Sequence, residues 1–393
     1  MSMYKAFASP VRIVSGEGSI QEVPSIVESF EAKRIMVFAD PGVVEAGIVQ
    51  KLEDQLAGAG LEYKIYSELV PEPALEVGNK ALQTLRDFNA DFVIGIGGGS
   101  SLDIAKAVAV LSKNDGNVED YLNLTGQKEL KEKGIPKVLI PTTSGTGAEV
   151  TDISVFSLED TKDAITNVKL LADAAVVDPE LTYTLPPHIT ASTGVDALTH
   201  AVESFVSVNA TPLTEALAFD AIQRISANIR TAVWNGKDIQ ARQNMAWGSM
   251  VAGLSFYNAG VGGVHALAYP LGGLFKIPHG VSNAALLPYI FDHIWPSSID
   301  KMARMAQALD VNTEHLNKRE AAIAAVNELK NIVDEVGIPS TLDQFGIEEK
   351  DIETLAQNAI KQTRLLAPSP KPYTLDDIRG RYKAAFHGEF KYI

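Results

Sequence analysis

Residues 91–111 read DFVIGIGGGSSLDIAKAVAVL, and this stretch decides the fold. Asp91–Ile96 is a short apolar run rich in β-branched residues, so it predicts a buried strand. The glycines at 95, 97, 98 and 99 break it, and Ile104–Leu111 continues with helical apolar spacing. Two functions are open to such a strand–loop–helix turn. Glycines let backbone approach a ligand, and the helix N-terminus offers N–H groups to a phosphate. Alternatively the loop is a plain tight turn with Ser100 or Ser101 as helix cap. Neither G-x-G-x-x-G nor the Walker pattern is matched, because Ser100 stands where the last glycine of the first would fall.

Outward from this unit, Arg34–Ala39 and Lys137–Pro141 read as further buried strands, and amphipathic runs near Val43–Ala59 and Glu76–Phe88 read as helices. Strands alternating with helices predict an α/β domain with a parallel sheet covered on both faces, its loops collected along one edge. A second loop at that edge, Thr142-Thr143-Ser144-Gly145-Thr146-Gly147-Ala148-Glu149, is rich in hydroxyls and glycine. Two such loops on one edge suggest a dinucleotide. Asp40 ends the strand at Arg34–Ala39. There it can accept from a ribose hydroxyl and repel a 2′-phosphate, favouring NAD over NADP, or simply cap a helix before Pro41.

The second half of the chain changes character. Thr193–Val208, Leu213–Ala232, Ile239–Tyr257 and Lys318–Val336 read as long helices, and strand signals almost vanish. The expected division is therefore an α/β dinucleotide-binding domain over residues 1–185 and an all-helical metal-binding and substrate domain over 186–393. A ligand site in such a chain is expected in the cleft between domains. Gln243–Phe275 carries no Asp, Glu, Lys or Arg, but its seven glycines, His265 and Pro270 predict a buried segment rather than a membrane span.

Composition narrows the chemistry. The 393 residues carry a net charge of -15, which disfavours nucleic acid and membrane surfaces as partners. With no cysteine, disulfides, thiolate nucleophiles, iron–sulfur clusters and sulfur-ligated zinc are excluded. The first residues lack the pattern of a signal peptide, so a cytoplasmic location is expected.

Seven histidines remain as candidates. Asp196 and His200 stand four apart on a predicted helix, one turn apart on one face, with Glu203 near the same stripe. The stripe is either a solvated polar face or half of a metal site. His265 lies inside the charge-free segment, where an imidazole needs a hydrogen-bond partner or a metal. His279 follows on an expected turn. One carboxylate and three imidazoles suit a divalent first-row metal and are poor for calcium. His188, His293, His315 and His387 are expected at helix ends or the surface, and Glu149 and Glu203 as loop supports.

At this point five motifs resemble the iron-containing (group III) alcohol dehydrogenases: GGGSSLDIAK at 97–106, TTSGTGAEVT at 142–151, GVDALTHAVE at 194–203, GGVHALAYPLGG at 262–273 and IPHGVSNA at 277–284. They occur in order along nearly the whole chain. The resemblance implies a dehydroquinate synthase-like architecture and an NAD-dependent, homodimeric or larger oxidoreductase. Its reaction would be reversible hydride transfer between the nicotinamide and a small primary alcohol, diol or aldehyde. It implies metal ligands at Asp196, His200, His265 and His279, holding Fe2+, Zn2+ or Mn2+. Cofactor contacts fall on Asp40, Gly97, Gly98, Ser100, Asp103, Thr142, Thr143, Thr146, Thr151 and Lys162. Phe256 falls beside nicotinamide and substrate. Tyr269 stands where many members have a histidine, which leaves the ligands intact and puts the proton route on a tyrosine. Ala172 stands where a proline is common.

Rival readings fare worse. A zinc-dependent medium-chain dehydrogenase needs cysteines, and the short-chain type needs Tyr-x-x-x-Lys, which no tyrosine here provides. A dehydroquinate synthase-like lyase would need cationic residues for an anionic substrate, and the charge-free segment has none. A non-catalytic nucleotide-binding protein would not require all four ligands.

Overall fold

The computed structural model describes residues 6–158 and 162–392. Among the described residues its contacts divide into two compact units, one of residues 8–184 and one of residues 185–392 together with residues 6–7. In the first unit the strands are β1 (Arg12–Ser15), β2 (Arg34–Ala39), β3 (Glu62–Tyr66), β4 (Phe92–Gly97), β5 (Lys137–Pro141), β6 (Ile153–Ser157), β7 (Lys162–Thr166) and β8 (Ala174–Val177). Its helices are α1 (Val23–Glu28), α2 (Pro41–Glu45), α3 (Ile48–Gly58), α4 (Leu75–Phe88) and α5 (Gly99–Leu111). The helix expected over 43–59 is thus two, broken at Gly47.

Six strands form one parallel sheet in the order β1-β8-β5-β4-β2-β3. Both faces are covered, which is why β4 and β5 are buried at every position. Alternation sorts their side chains: Met36, Phe38, Val93 and Leu139 enter one core with Leu82, Leu85 and Leu102 of the helices. Ile35, Val37, Ile94, Val138 and Ile140 enter the other, with Ile26, Leu52 and Leu56.

The strand order reverses beside β2, since β3 adds on one side of it and β4 on the other. Ligands of open α/β sheets bind at the carboxyl ends of strands at such a reversal. Register aligns Ala39 with Ile96 and Gly97 with Pro141, so Asp40 and both glycine-rich loops leave the sheet side by side. Thr142 N donates to Gly97 O at 3.0 Å, tying one loop to the other. Gly97 itself has φ +150, and a Cβ there would lie 2.8 Å from Ser101 Oγ.

An antiparallel pair, β6–β7, lies apart from this sheet. Fully buried Lys106 of α5 fastens it: its ammonium ion-pairs with Asp103 at 2.8 Å and donates to Ala148 O at 3.0 Å and to Ile153 O. Asp103 also accepts from Val155 N at 3.0 Å.

The second unit is helical: α6 (Pro187–Val206), α7 (Pro212–Trp234), α8 (Ile239–Ala259), α9 (Gly263–Phe275), α10 (His279–Ile294), α11 (Ile299–Ala308), α12 (Lys318–Glu335), α13 (Ile352–Ala359), α14 (Thr363–Leu366) and α15 (Leu375–His387). α6 packs against α7, α8 and α10, and α10 packs against α9. Among the described residues no helix is long and apolar enough to cross a membrane. Most of the charge-free segment is interior to this helical unit, as expected.

Candidate functional site

From Gly194 to Val206 every residue of α6 is buried. The polar stripe of Asp196, His200 and Glu203 is therefore not a solvated face. Inside a protein such groups must find partners. They find them on α9 and α10. α9 supplies His265 at its third position, and α10 begins with His279, which sits on a helix start rather than a turn. Ligand atoms of Asp196, His200, His265 and His279 all lie within 4.8 Å of one another. His265 Nε2 and His200 Nε2 are 3.0 Å apart, and His279 Nε2 is 3.6 Å from Asp196 Oδ1. Asp196, His200 and His265 are buried, while His279 is half-buried. Burial alone would raise the Asp196 carboxyl. The facing imidazoles of His200, His279 and His265, with the Asn283 amide, outweigh it and hold the carboxyl below the ordinary carboxylate range.

Four other side chains border this cluster. Glu203 lies 2.6 Å from His265 Nδ1 through one oxygen and accepts from Val264 N at 2.6 Å through the other. The bond to Val264 N is the loop support expected of it, and the contact with an imidazole comes in addition. Asn283, fully buried on α10, donates to Asp196 Oδ1 at 2.7 Å and sits 3.2 Å from His265 Nε2. It escaped the sequence reading, although its i+4 spacing from His279 puts it on the same face. Phe256 of α8 stacks on His200, with ring centres 4.2 Å apart and planes 17° apart. Tyr269, one turn beyond His265, meets the His279 ring edge-on at 6.1 Å.

In the other unit, the loop residues sort into two groups. Gly98 caps α5 without any side-chain bond, and a Cβ there would meet nothing nearer than Thr143 at 3.8 Å. That leaves a small open cradle at a helix N-terminus, suited to an anion. The cap role expected of Ser100 or Ser101 is not what these serines do: Ser100 Oγ accepts from Glu72 N, and Ser101 donates to Asp40 Oδ2, both at 3.1 Å. Asp40 caps α2 by accepting from Val43 N at 3.1 Å. Thr146 covers Gly99, and Lys162 ion-pairs with Glu72 at 2.8 Å. Asp103 and Thr151, by contrast, are engaged inward, Asp103 with Lys106 and Val155 and Thr151 with Lys106 and Ala148. Glu149 is buried, and desolvation raises its carboxyl to about 7.

The remaining histidines divide. His188, His315 and His387 are exposed. His293 is not the surface residue expected. It packs against the Tyr373 ring, 3.5 Å from Asp377, and burial together with Lys371 and Arg381 lowers its pKa to about 4.

Known proteins share both halves of this arrangement. The family described as iron-containing alcohol dehydrogenase matches residues 10–179, and the C-terminal part of the Fe-containing alcohol dehydrogenase family matches residues 190–386. Long-chain-alcohol dehydrogenase 1 of Geobacillus thermodenitrificans is 53% identical over 388 residues, covering 99% of this chain and 98% of its own. A crystal structure of 1,3-propanediol oxidoreductase superposes with a TM-score of 0.94 at 32% identity, covering 98% of this chain and 100% of that one. Sulfoacetaldehyde reductase from Bifidobacterium kashiwanohense, solved in complex with NAD+, gives 0.88 at 28% identity, covering 98% and 99%. Matches that run in order through the sheet with its two loops and through the helices with their histidines leave one assignment: the chain belongs to the iron-containing alcohol dehydrogenase family.

Proposed function

We propose that the protein is a metal-dependent NAD(H) alcohol dehydrogenase, interconverting a primary alcohol or diol and its aldehyde. The observation that carries this is the convergence of one carboxylate and three imidazoles from α6, α9 and α10. In this reading Asp196, His200, His265 and His279 hold one divalent ion, Fe2+ first, with Zn2+ or Mn2+ as alternatives. The donors fit such an ion: they are hard-to-borderline N and O groups, already gathered and largely dry. Asp40, Gly97, Gly98, Ser100, Thr142, Thr143, Thr146 and Lys162 border the dinucleotide, with Asp103 and Thr151 bracing the loops from behind. An ion held by Asp196, His200, His265 and His279 would supply Lewis-acid polarisation of the alcohol oxygen, and a dinucleotide held at the glycine-rich loops would supply the hydride acceptor.

The chain's own residues do the rest. Phe256 fixes the plane of His200 by stacking. Tyr269 offers a hydroxyl that can give or take a proton near His279. The charge-free segment 243–275 favours uncharged substrates over anionic ones. Asp40 excludes a 2′-phosphate by charge. A cytoplasmic homodimer is part of the same proposal.

The test is NADH absorbance with NAD and primary alcohols from short to long, since a 53% identical relative is named for long chains. Protein as purified is compared with chelator-treated protein and with treated protein given Fe2+, Zn2+ or Mn2+. Activity abolished by chelation and restored by one ion is the expected result. Activity untouched by complete metal removal overturns the four-ligand reading.

A further inference from the structure

We infer that Glu203 is a positioning residue for the metal centre: its carboxylate holds His265 in the one tautomer that leaves Nε2 free to ligate. This rests on the proposed metal site and assigns a role to a residue outside the four ligands.

The geometry is specific. Glu203 Oε2 lies 2.6 Å from His265 Nδ1, and Oε1 accepts from Val264 N at 2.6 Å. The Glu203 side chain is 2% exposed and that of His265 5%. A buried carboxylate accepts and cannot donate, so the ring must place its proton on Nδ1. Nε2 then carries a lone pair, and it is Nε2 that faces His200 Nε2 at 3.0 Å. The second oxygen serves the backbone: Val264 is the second residue of α9, so the carboxylate also sits at a helix N-terminus, where negative charge is favoured. One side chain thereby fixes both the start of α9 and the orientation of the ring that α9 carries. The surroundings leave it no slack. A Cβ on Gly262 would come within 3.1 Å of Oε1, and one on Gly263 within 2.3 Å of Tyr373 Oη. The segment holding Tyr373 is Leu365–Tyr373, whose Pro368 O accepts from Val208 N at 2.9 Å. Its Pro368 and Ser369 lie against Gly260 and Gly262, in the turn that leads into α9.

Glu203→Gln is nearly isosteric yet cannot reproduce this. An amide has one acceptor and one donor end. If the oxygen takes His265 Nδ1–H, the NH2 group opposes Val264 N–H. If the oxygen takes Val264 N–H, the NH2 group faces Nδ1 and drives the ring to the tautomer with Nε2 protonated. Outer-shell partners of ligating histidines are typically worth about 10–100-fold in metal affinity.

The experiment measures Zn2+ affinity by competition with a chromophoric chelator, and the visible absorption of the Co2+-loaded protein, for wild type, Glu203→Gln, His265→Ala and the double variant. We expect Glu203→Gln to weaken Zn2+ about 10–100-fold and to alter the Co2+ bands. In the His265→Ala background the same change should have no further effect, because the coupling runs through that ring. Unchanged affinity and an unchanged Co2+ spectrum in Glu203→Gln, beside tight wild-type binding, overturn the inference alone. A wild type that takes up neither ion overturns the metal-site reading and this inference with it. Should Glu203→Gln fail to fold, 15N NMR of the histidine rings in the Zn2+-loaded wild type decides. A proton on His265 Nδ1 supports the role, and an unprotonated Nδ1 overturns it.

Discussion

Gly280→Ala should damage the candidate metal centre without touching any of its four ligands. Gly280 is the second residue of α10, directly after His279. A Cβ at this position would lie 2.3 Å from Ser192 O and 3.4 Å from the Cβ of Asp196, both on α6. Carbon and carbonyl oxygen ordinarily approach no closer than about 3.3 Å. The first turn of α10 must therefore retreat by about 1 Å, or α6 must yield by as much. Backbone cannot rotate out of the way as a side chain can, so overpacking of this kind costs about 1–3 kcal/mol. The functional cost is larger in proportion. A shift of about 1 Å separates His279 from Asp196, His200 and His265, and displacements of that size can cost about 100-fold in rate. The assay is metal content per protein and turnover with NAD, alongside the thermal transition. Gly380→Ala in α15 is the control, because nothing lies within 4 Å of a Cβ there. It should leave metal and turnover alone and stabilise slightly, by about 0.5–1 kcal/mol. If Gly280→Ala keeps full metal content and wild-type turnover, the claim that the close α6–α10 approach sets the ligand geometry is refuted.

Lys106→Met should destabilise by about 3 kcal/mol or more, because it strands the largely buried Asp103 carboxylate; a urea midpoint no lower than wild type would contradict this. Glu149→Gln tests a pH effect. The folded-state value of about 7 lies above the ordinary 4.5, so the stability associated with the neutral acid is fully present below about pH 4.5 and lost as pH rises through 7. Relative to wild type, the glutamine variant should gain about 3 kcal/mol between pH 4.5 and 8, from about 2.5 pKa units; a stability difference that stays flat over that range would rule the mechanism out. Asp40→Gly should raise kcat/KM with NADP relative to NAD by at least about 10-fold, with only about a few tenths of a kcal/mol of stability lost from the α2 cap; steady-state kinetics with both cofactors check it, and an unchanged ratio would exclude Asp40 as the discriminating charge.

Legibility in the sequence followed burial. β2, β4 and β5 were readable because strands covered on both faces are continuous apolar runs, and the long helices because their apolar residues recur at helical spacing. β1 and β3 were not, since edge strands bury only part of their side chains: β3 alternates exposed and half-buried residues over Glu62–Ile65. The β6–β7 pair was invisible because what holds it is a fully buried lysine 47 residues from the carbonyl it binds. The same division runs through the site. Spacing alone put Asp196 and His200 on one helical face, since i and i+4 are neighbours on any helix. Whether that face met water or other ligands depended on α9 and α10, which bring His265 and His279 across from 65 and 83 residues away from His200 and Asp196. Glu203 read only as a loop support for the same reason. Its partner is set by helix packing, and no local pattern encodes a hydrogen bond that spans 62 residues.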